Sequence, residues 1–246
     1  MFAKILCCFL IIFGANAVYA NNAAVQDNAA VEDETTLVEA FSELKNGNLP
    51  NVVKNTDRII ERFERKKDTQ NQYICVSNFN DVMTGLAVAA GAAKENGTKN
   101  VKVVAVSSAV CVAYFLKGYV LIDMQQRDKA LPNLEMAVKL DPDNQHYANE
   151  LAEWYKAGGQ WQKSLELFTA ASEMTDLSVE SQEDQKASMQ MLNAMRCRSY
   201  RGIAFNHVEL ANWAEAREAL EKCLKLIPGD PKSKVELDFI EANAKK

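Results

Sequence analysis

Residues 114–142 read YFLKGYVLIDMQQRDKALPNLEMAVKLDP, and residues 200–228 read YRGIAFNHVELANWAEAREALEKCLKLIP. The two stretches set similar residue types at the same distances. Tyr114, Lys117, Gly118 and Leu121 answer Tyr200, Ile203, Ala204 and His207. Ala130, Leu134, Ala137 and Pro142 answer Ala216, Leu220, Cys223 and Pro228. Counted from Gly118 and from Ala204, the small positions and the Pro follow at steps of 12, 7 and 5 residues in both. A third copy lies between them, with Ala148, Leu151, Ala152 and Tyr155, then Ser164, Phe168 and Ala171. Gly118 to Ala152 is 34 residues, and Ala152 to Ala204 is 52, one further period with an insert of 18.

Each copy reads as two amphipathic helices joined by a polar turn, at 125–128, 158–160 and 211–212. Small residues at 118, 130 and 137 let the two helices approach closely, and Tyr114, Leu121 and Leu134 fill the space between neighbouring copies. Asp141-Pro142 and Pro228-Gly229 stop the second helix, because Pro cannot continue it and Gly accepts a left-handed cap. One such pair cannot bury its apolar face alone, so the copies must stack. A 34-residue period with this aromatic, small, small, Pro order resembles the tetratricopeptide repeat (TPR) family. The departures are Lys117 where Leu is usual, Ser164 in place of Ala, and no terminal Pro in the middle copy. The resemblance implies an all-α helix-turn-helix repeat solenoid. Its copies would lie at about 111–144, 145–178 and 197–230 of a 111–246 repeat region. A capping helix at 231–246 follows, with Val235, Leu237, Phe239 and Ile240 apolar. The acidic stretch 173–184 reads as the insert, with the next helix running from near Glu183 to about Leu210.

The region 35–110 is expected to be a helical N-terminal extension. Residues 35–67 give two helices around Asn46-Gly47-Asn48, readable as a degenerate copy. Asp81–Lys94 reads as a helix of small residues. Val101–Gln125 is apolar on nearly all sides and is expected to be a buried helix. A strand over Val101–Val106 is the alternative favoured by its β-branched residues, with no partner strand evident. Residues 21–34 carry four acids and no base, as a disordered acidic tail would. Before them, Lys4, the apolar run Ile5–Phe13 and the exits Ala15-Asn16-Ala17 and Val18-Tyr19-Ala20 make 1–20 a secretory signal peptide. Export, periplasmic or secreted, is therefore expected, with no membrane span left after cleavage.

The chain has 246 residues, 48% apolar and 25% charged, which suits a soluble globular protein. Ten Gly and five Pro are too few for many tight turns, which favours helices over strands. A net charge of −5 argues against a nucleic-acid partner, and two His argue against a His-rich metal site. There is no GxSxG, HExxH, GxGxxG or phosphate loop, so no catalytic residue, cofactor or metal is expected. An enzymatic site would have to lie in 68–110, where Tyr73, Cys75 and Asp81 are the available groups. Past residue 20 the cysteines are Cys75, Cys111, Cys197 and Cys223, an even number for an oxidising compartment. Cys197 and Cys223 come to the same end of an antiparallel pair and are candidates for a disulfide. Four buried thiols are the alternative, and nothing places Cys75 against Cys111.

Repeats of this family usually offer a concave surface, which the resemblance extends to this chain. The stripe on each first helix that faces it would be Val112, Phe115, Tyr119 and Ile122; then His146, Asn149, Glu153 and Lys156; then Arg198, Arg201, Phe205 and Val208. Phe115, Tyr119, Asn149, Glu153, Arg198, Arg201 and Phe205 are the candidate partner groove. The clamp by which some family members hold a C-terminal carboxylate is not matched. Phe115, Tyr119, Glu150 and Gly202 stand in its places, and only Arg198 fits. The expected function is an exported scaffold or adaptor that binds a protein or peptide segment, in assembly within a bacterial envelope. Self-assembly through the apolar stripe, or an enzyme or enzyme regulator with its site in 68–110, are the alternatives.

Overall fold

The computed structural model describes residues 28–76, 102–174 and 182–244. The expected signal peptide, the small-residue helix at 81–94 and Asp81 lie outside the described residues. The chain divides into two compact units, Met1–Met124 and Gln125–Lys246. The division falls inside the first copy rather than at 110, so that copy gives one helix to each unit.

In the first unit, α1 (Asn28–Lys45) and α2 (Leu49–Lys66) form an antiparallel hairpin. Gly47, at φ +74°, makes the left-handed turn that an L side chain resists. Leu37, Ala40 and Leu44 of α1 and Val52, Ile59, Ile60 and Phe63 of α2 are buried at helical spacing. Helix α1 starts at Asn28, within the stretch expected to be a disordered tail. Its first turns are held by Arg62, which bonds Glu32 at 2.7 Å and also pairs with Asp33.

The second difference is a pair of strands in a chain read as all-α. β1 (Gln72–Val76) and β2 (Val103–Ser107) lie parallel, with Tyr73 opposite Val104 and Cys75 opposite Val106. The expected helix from Val101 thus begins only at Ser108, as α3 (Ser108–Asp123). Val103, Val104 and Val106 favour the extended chain. Ser107 then starts the helix, its hydroxyl accepting from the Ala109 amide at 3.2 Å. From there α3 is buried on most sides, as expected. Lys117, the departure from the repeat pattern, pairs with Asp57 of α2 at 2.6 Å. Tyr114 donates to Glu64 at 2.6 Å, and burial together with that carboxylate pushes its phenol pKa up. A disulfide joins Cys75 of β1 to Cys111 of α3, Cα atoms 6.3 Å apart.

The second unit holds α4 (Arg127–Leu140), α5 (Gln145–Ala157), α6 (Trp161–Glu173), α7 (Gln182–Glu209), α8 (Trp213–Leu226) and α9 (Pro231–Asn243). The small positions of the period, Ala130, Ala137, Ala152, Ser164, Ala204 and Ala216, are all buried. Around them Phe168, Ile203, Leu220 and Ile240 form the core. Gln125, Gly159 and Ala211 take left-handed φ of 60°, 70° and 60° at the repeat's own spacing of 34 and 52 residues. Gly47 does the same between α1 and α2, so that hairpin shares the turn of the repeats. A disulfide joins Cys197 of α7 to Cys223 of α8, Cα atoms 4.5 Å apart. Among the described residues no helix is long and apolar enough to cross a membrane.

Candidate functional site

Helices α5 and α7 are the first members of successive hairpins and α9 follows the second of them; one face of each borders a groove of about 260 Å³ within the second unit. Glu153 and Lys156 come from α5, Arg198, Arg201, Gly202 and Phe205 from α7, and Lys232 and Glu236 from α9. Glycine at 202 is what lets α7 settle onto α6, because a Cβ there would overlap the Phe168 ring. Phe205 is 41% exposed, and its ring meets Trp161 at 5.8 Å between centroids. Lys156 lays its ammonium 5.1 Å from the centre of the same ring while pairing with Glu153 at 2.6 Å.

The electrostatics of the groove are balanced rather than basic. Arg198 pairs with Glu150 at 2.7 Å, and Arg201 pairs with Asp230 at 3.0 Å. Asp230 also caps α9, accepting from the Ser233 amide at 2.8 Å. Burial works against the Asp230 charge, but the Ser233 hydrogen bonds and Arg201 outweigh it and hold its pKa below the usual carboxylate range. Glu236 is the reverse case. Burial raises its pKa despite Arg201, Lys156 and Lys232 nearby. Burial likewise holds His146, on the same stripe of α5, below the ordinary imidazole value.

Of the seven expected groove residues, Glu153, Arg198, Arg201 and Phe205 line this groove together. The other three do not. Phe115 is fully buried in the first unit, because α3 is apolar on most sides, and its ring lies 6.2 Å from that of the half-buried Tyr119. Asn149 is also fully buried, its Oδ1 accepting from Ser199 Oγ at 2.8 Å, so it is a link between α5 and α7. Lys232 and Glu236 are absent from the expected set, although Lys232 stands 34 residues after Arg198 and Glu236 34 after Gly202. By the same period Phe239 repeats Phe205, and both Val235 and Phe239 are exposed on α9. The helix expected to cap the array is in phase with the groove-forming helices.

Of the groups named for an enzymatic site, Tyr73 and Cys75 are engaged with other groups. The Tyr73 hydroxyl accepts from the Asp68 amide at 2.7 Å, and Cys75 is in the disulfide with Cys111. Among the described residues no three His, Cys, Asp or Glu side chains gather as metal ligands would.

Residues 112–144 match the tetratricopeptide repeat family model. No curated protein sequence matches the chain. Among solved structures it is similar to TPR-like repeats of a Podosopora anserina protein described as a kinesin light chain, at TM-score 0.55 and 14% identity, over 89% of this chain and 90% of that one. It is also similar to MamA, residues 41 to the end, from Desulfovibrio magneticus RS-1, at TM-score 0.53 and 12% identity, over 87% of this chain and 88% of that one. At such identities the likeness is one of fold, which alone does not carry a function. The chain is a mostly helical, TPR-like helix-turn-helix repeat array, with a tetratricopeptide repeat at 112–144.

Proposed function

We propose that the chain is an exported binding scaffold that takes a protein or peptide segment in the groove over α5, α7 and α9, and so serves assembly in the bacterial envelope. The observation that carries this is Phe205, a large ring left open to solvent amid charged groups contributed by three separate helices. Trp161 and the Lys156 ammonium hold the ring in place, and 41% of the residue stays open to solvent. Aromatic anchors rimmed by polar groups are where interface energy concentrates. Repeat proteins of the matched family typically bind protein segments, which agrees with the groove. The pattern of residues 1–20 and two disulfides in the folded chain support an oxidising compartment outside the cytoplasm.

The test is selection of twelve-residue segments from a displayed random library on the purified chain, followed by calorimetry. Phe205→Ala is expected to weaken the selected segments by on the order of 2 kcal/mol, as an interface hot spot would. Equal binding by wild type and variant would remove the groove from consideration. Export is read separately, from the N-terminal mass of the protein recovered from cells. Asn21 or Val18 as the first residue supports it, and an intact Met1 in the cytoplasm refutes it.

A further inference from the structure

Four cations border the groove, and three of them are answered within the fold. Glu153 holds Lys156, Glu150 holds Arg198 and Asp230 holds Arg201. Two charges on α9 remain. Neither Lys232 nor Glu236 makes an ion pair or hydrogen bond with another described residue, though they stand one turn apart and both line the groove. Lys232 is exposed, and Glu236 is half-buried. A half-buried carboxylate without a partner is costly, and burial raises the pKa of Glu236 accordingly. A second, shallower depression of about 360 Å³ beside the groove is lined by Pro231, Val235 and the same two side chains. The open charges therefore lie next to apolar surface, with Val235 69% exposed.

We propose, resting on the groove reading above, that the partner is a mixed-charge segment. It brings a Lys or Arg to Glu236 and an Asp or Glu to Lys232, beside an apolar side chain that packs on Phe205 and Val235. A purely acidic segment is disfavoured, because the arginines that would hold it already hold Glu150 and Asp230, and Glu236 would repel it. A purely basic segment can pair with Glu236 alone and is repelled by Lys232, the groove cation without an ion pair to a described residue. Selectivity here comes from repelling both single-sign alternatives as much as from attracting the right one.

The probes are three pools of ten-residue peptides, N-acetylated and C-amidated so that their termini carry no charge, each with a central Leu or Phe. One pool has only Asp and Glu around it, one only Lys and Arg, and one both. Binding to the full chain is measured at low salt. The mixed pool is expected to bind about tenfold more tightly than either other, the worth of one or two partly solvated ion pairs plus avoided repulsion. Glu236→Gln should remove about fivefold of the preference for pools containing Lys or Arg, and Lys232→Gln about fivefold of that for Asp or Glu. The double reversal Lys232→Glu with Glu236→Lys should restore the mixed-pool preference. Neither side chain holds the fold together, and an unchanged helical signal checks that. A preference for the acidic pool, or pool ratios untouched by Glu236→Gln and Lys232→Gln, overturns the proposal while leaving the groove reading intact. Failure of all three pools to bind overturns both.

Discussion

Arg201 and Phe205 stand one turn apart on α7, yet they have different physical roles. Phe205 is 41% exposed and meets Trp161 and Lys156 at the surface, so Phe205→Ala should lower the thermal midpoint only slightly while binding weakens. Arg201 is mostly buried against Asp230, which caps α9. Arg201→Ala is therefore expected to cost about 1–2 kcal/mol of stability, read from denaturant midpoints, because it leaves a buried carboxylate without its charge partner. The sequence stripe places both residues on the groove correctly. It does not show the partners, since Asp230 is 29 residues away and only the folded helices bring it to Arg201. Asn149 misleads for a similar reason. A polar residue on a helix stripe reads as exposed until Ser199, 50 residues on, is found bonded to it. Gly202 is a third case, where the absent side chain matters. Gly202→Ala should destabilise the second unit by about 1–3 kcal/mol through overlap with Phe168, as other overpacked cores do. No loss of stability on calorimetric unfolding would show that α7 can shift away from α6 at little cost.

Elements are where the 34-residue period is most informative, because it fixes both helix packing and turn geometry. The left-handed position of the turn recurs at Gly47, Gln125, Gly159 and Ala211. Only two of these are glycine, and an L residue there crowds its own carbonyl. Ala211→Gly is thus expected to raise stability by roughly 0.5–1 kcal/mol, the relief of that strain exceeding the entropy cost of glycine. A fall in the denaturant midpoint would contradict it. The same period makes α9 a groove helix, a role that its place as a capping helix does not by itself suggest. Its N-cap supplies a pH test. The folded pKa of Asp230 lies below the unfolded value, so its contribution is complete above about pH 4 and is lost as the pH falls through the lower folded value. Asp230→Asn keeps a capping oxygen but no charge. The stability gap between wild type and variant should be constant from pH 7 to 5 and close toward pH 3. The strands β1 and β2 escape the period altogether. Their residues are β-branched, but the pairing spans about 31 positions of chain, and a two-strand ladder leaves no alternating pattern to read. Ser107-Ser108 is the local signal that marks where the strand ends and α3 begins.

At the scale of the whole molecule, the four cysteines past residue 20 allow three pairings among themselves, and the fold selects between them. Cys75 and Cys111 both belong to the first compact unit, and Cys197 and Cys223 both belong to the second. Each pair lies at Cα separations, 6.3 and 4.5 Å, that a disulfide spans without backbone movement. The two other pairings would each need two bonds between different units. The bonds also sit where the repeat alone is weakest. Cys75–Cys111 fastens the non-repeat strand β1 to α3. Cys197–Cys223 joins the 28-residue α7, longer than the other helices of the array, to α8, and Ser233 of α9 donates to its Cys223 sulfur at 3.0 Å. The sequence separations of 36 and 26 residues give each bond a worth of about 3–4 kcal/mol in the chain-entropy model. Peptide mapping of the purified protein without reductant should therefore find Cys75–Cys111 and Cys197–Cys223 and no cross-unit peptide. Replacing Cys197 and Cys223 together by Ala should lower the unfolding free energy of the second unit by that amount and leave the first unit's disulfide peptide in place. Free thiols at all four positions in protein purified without reductant would contradict the prediction and make the cysteines packing residues in a reduced core.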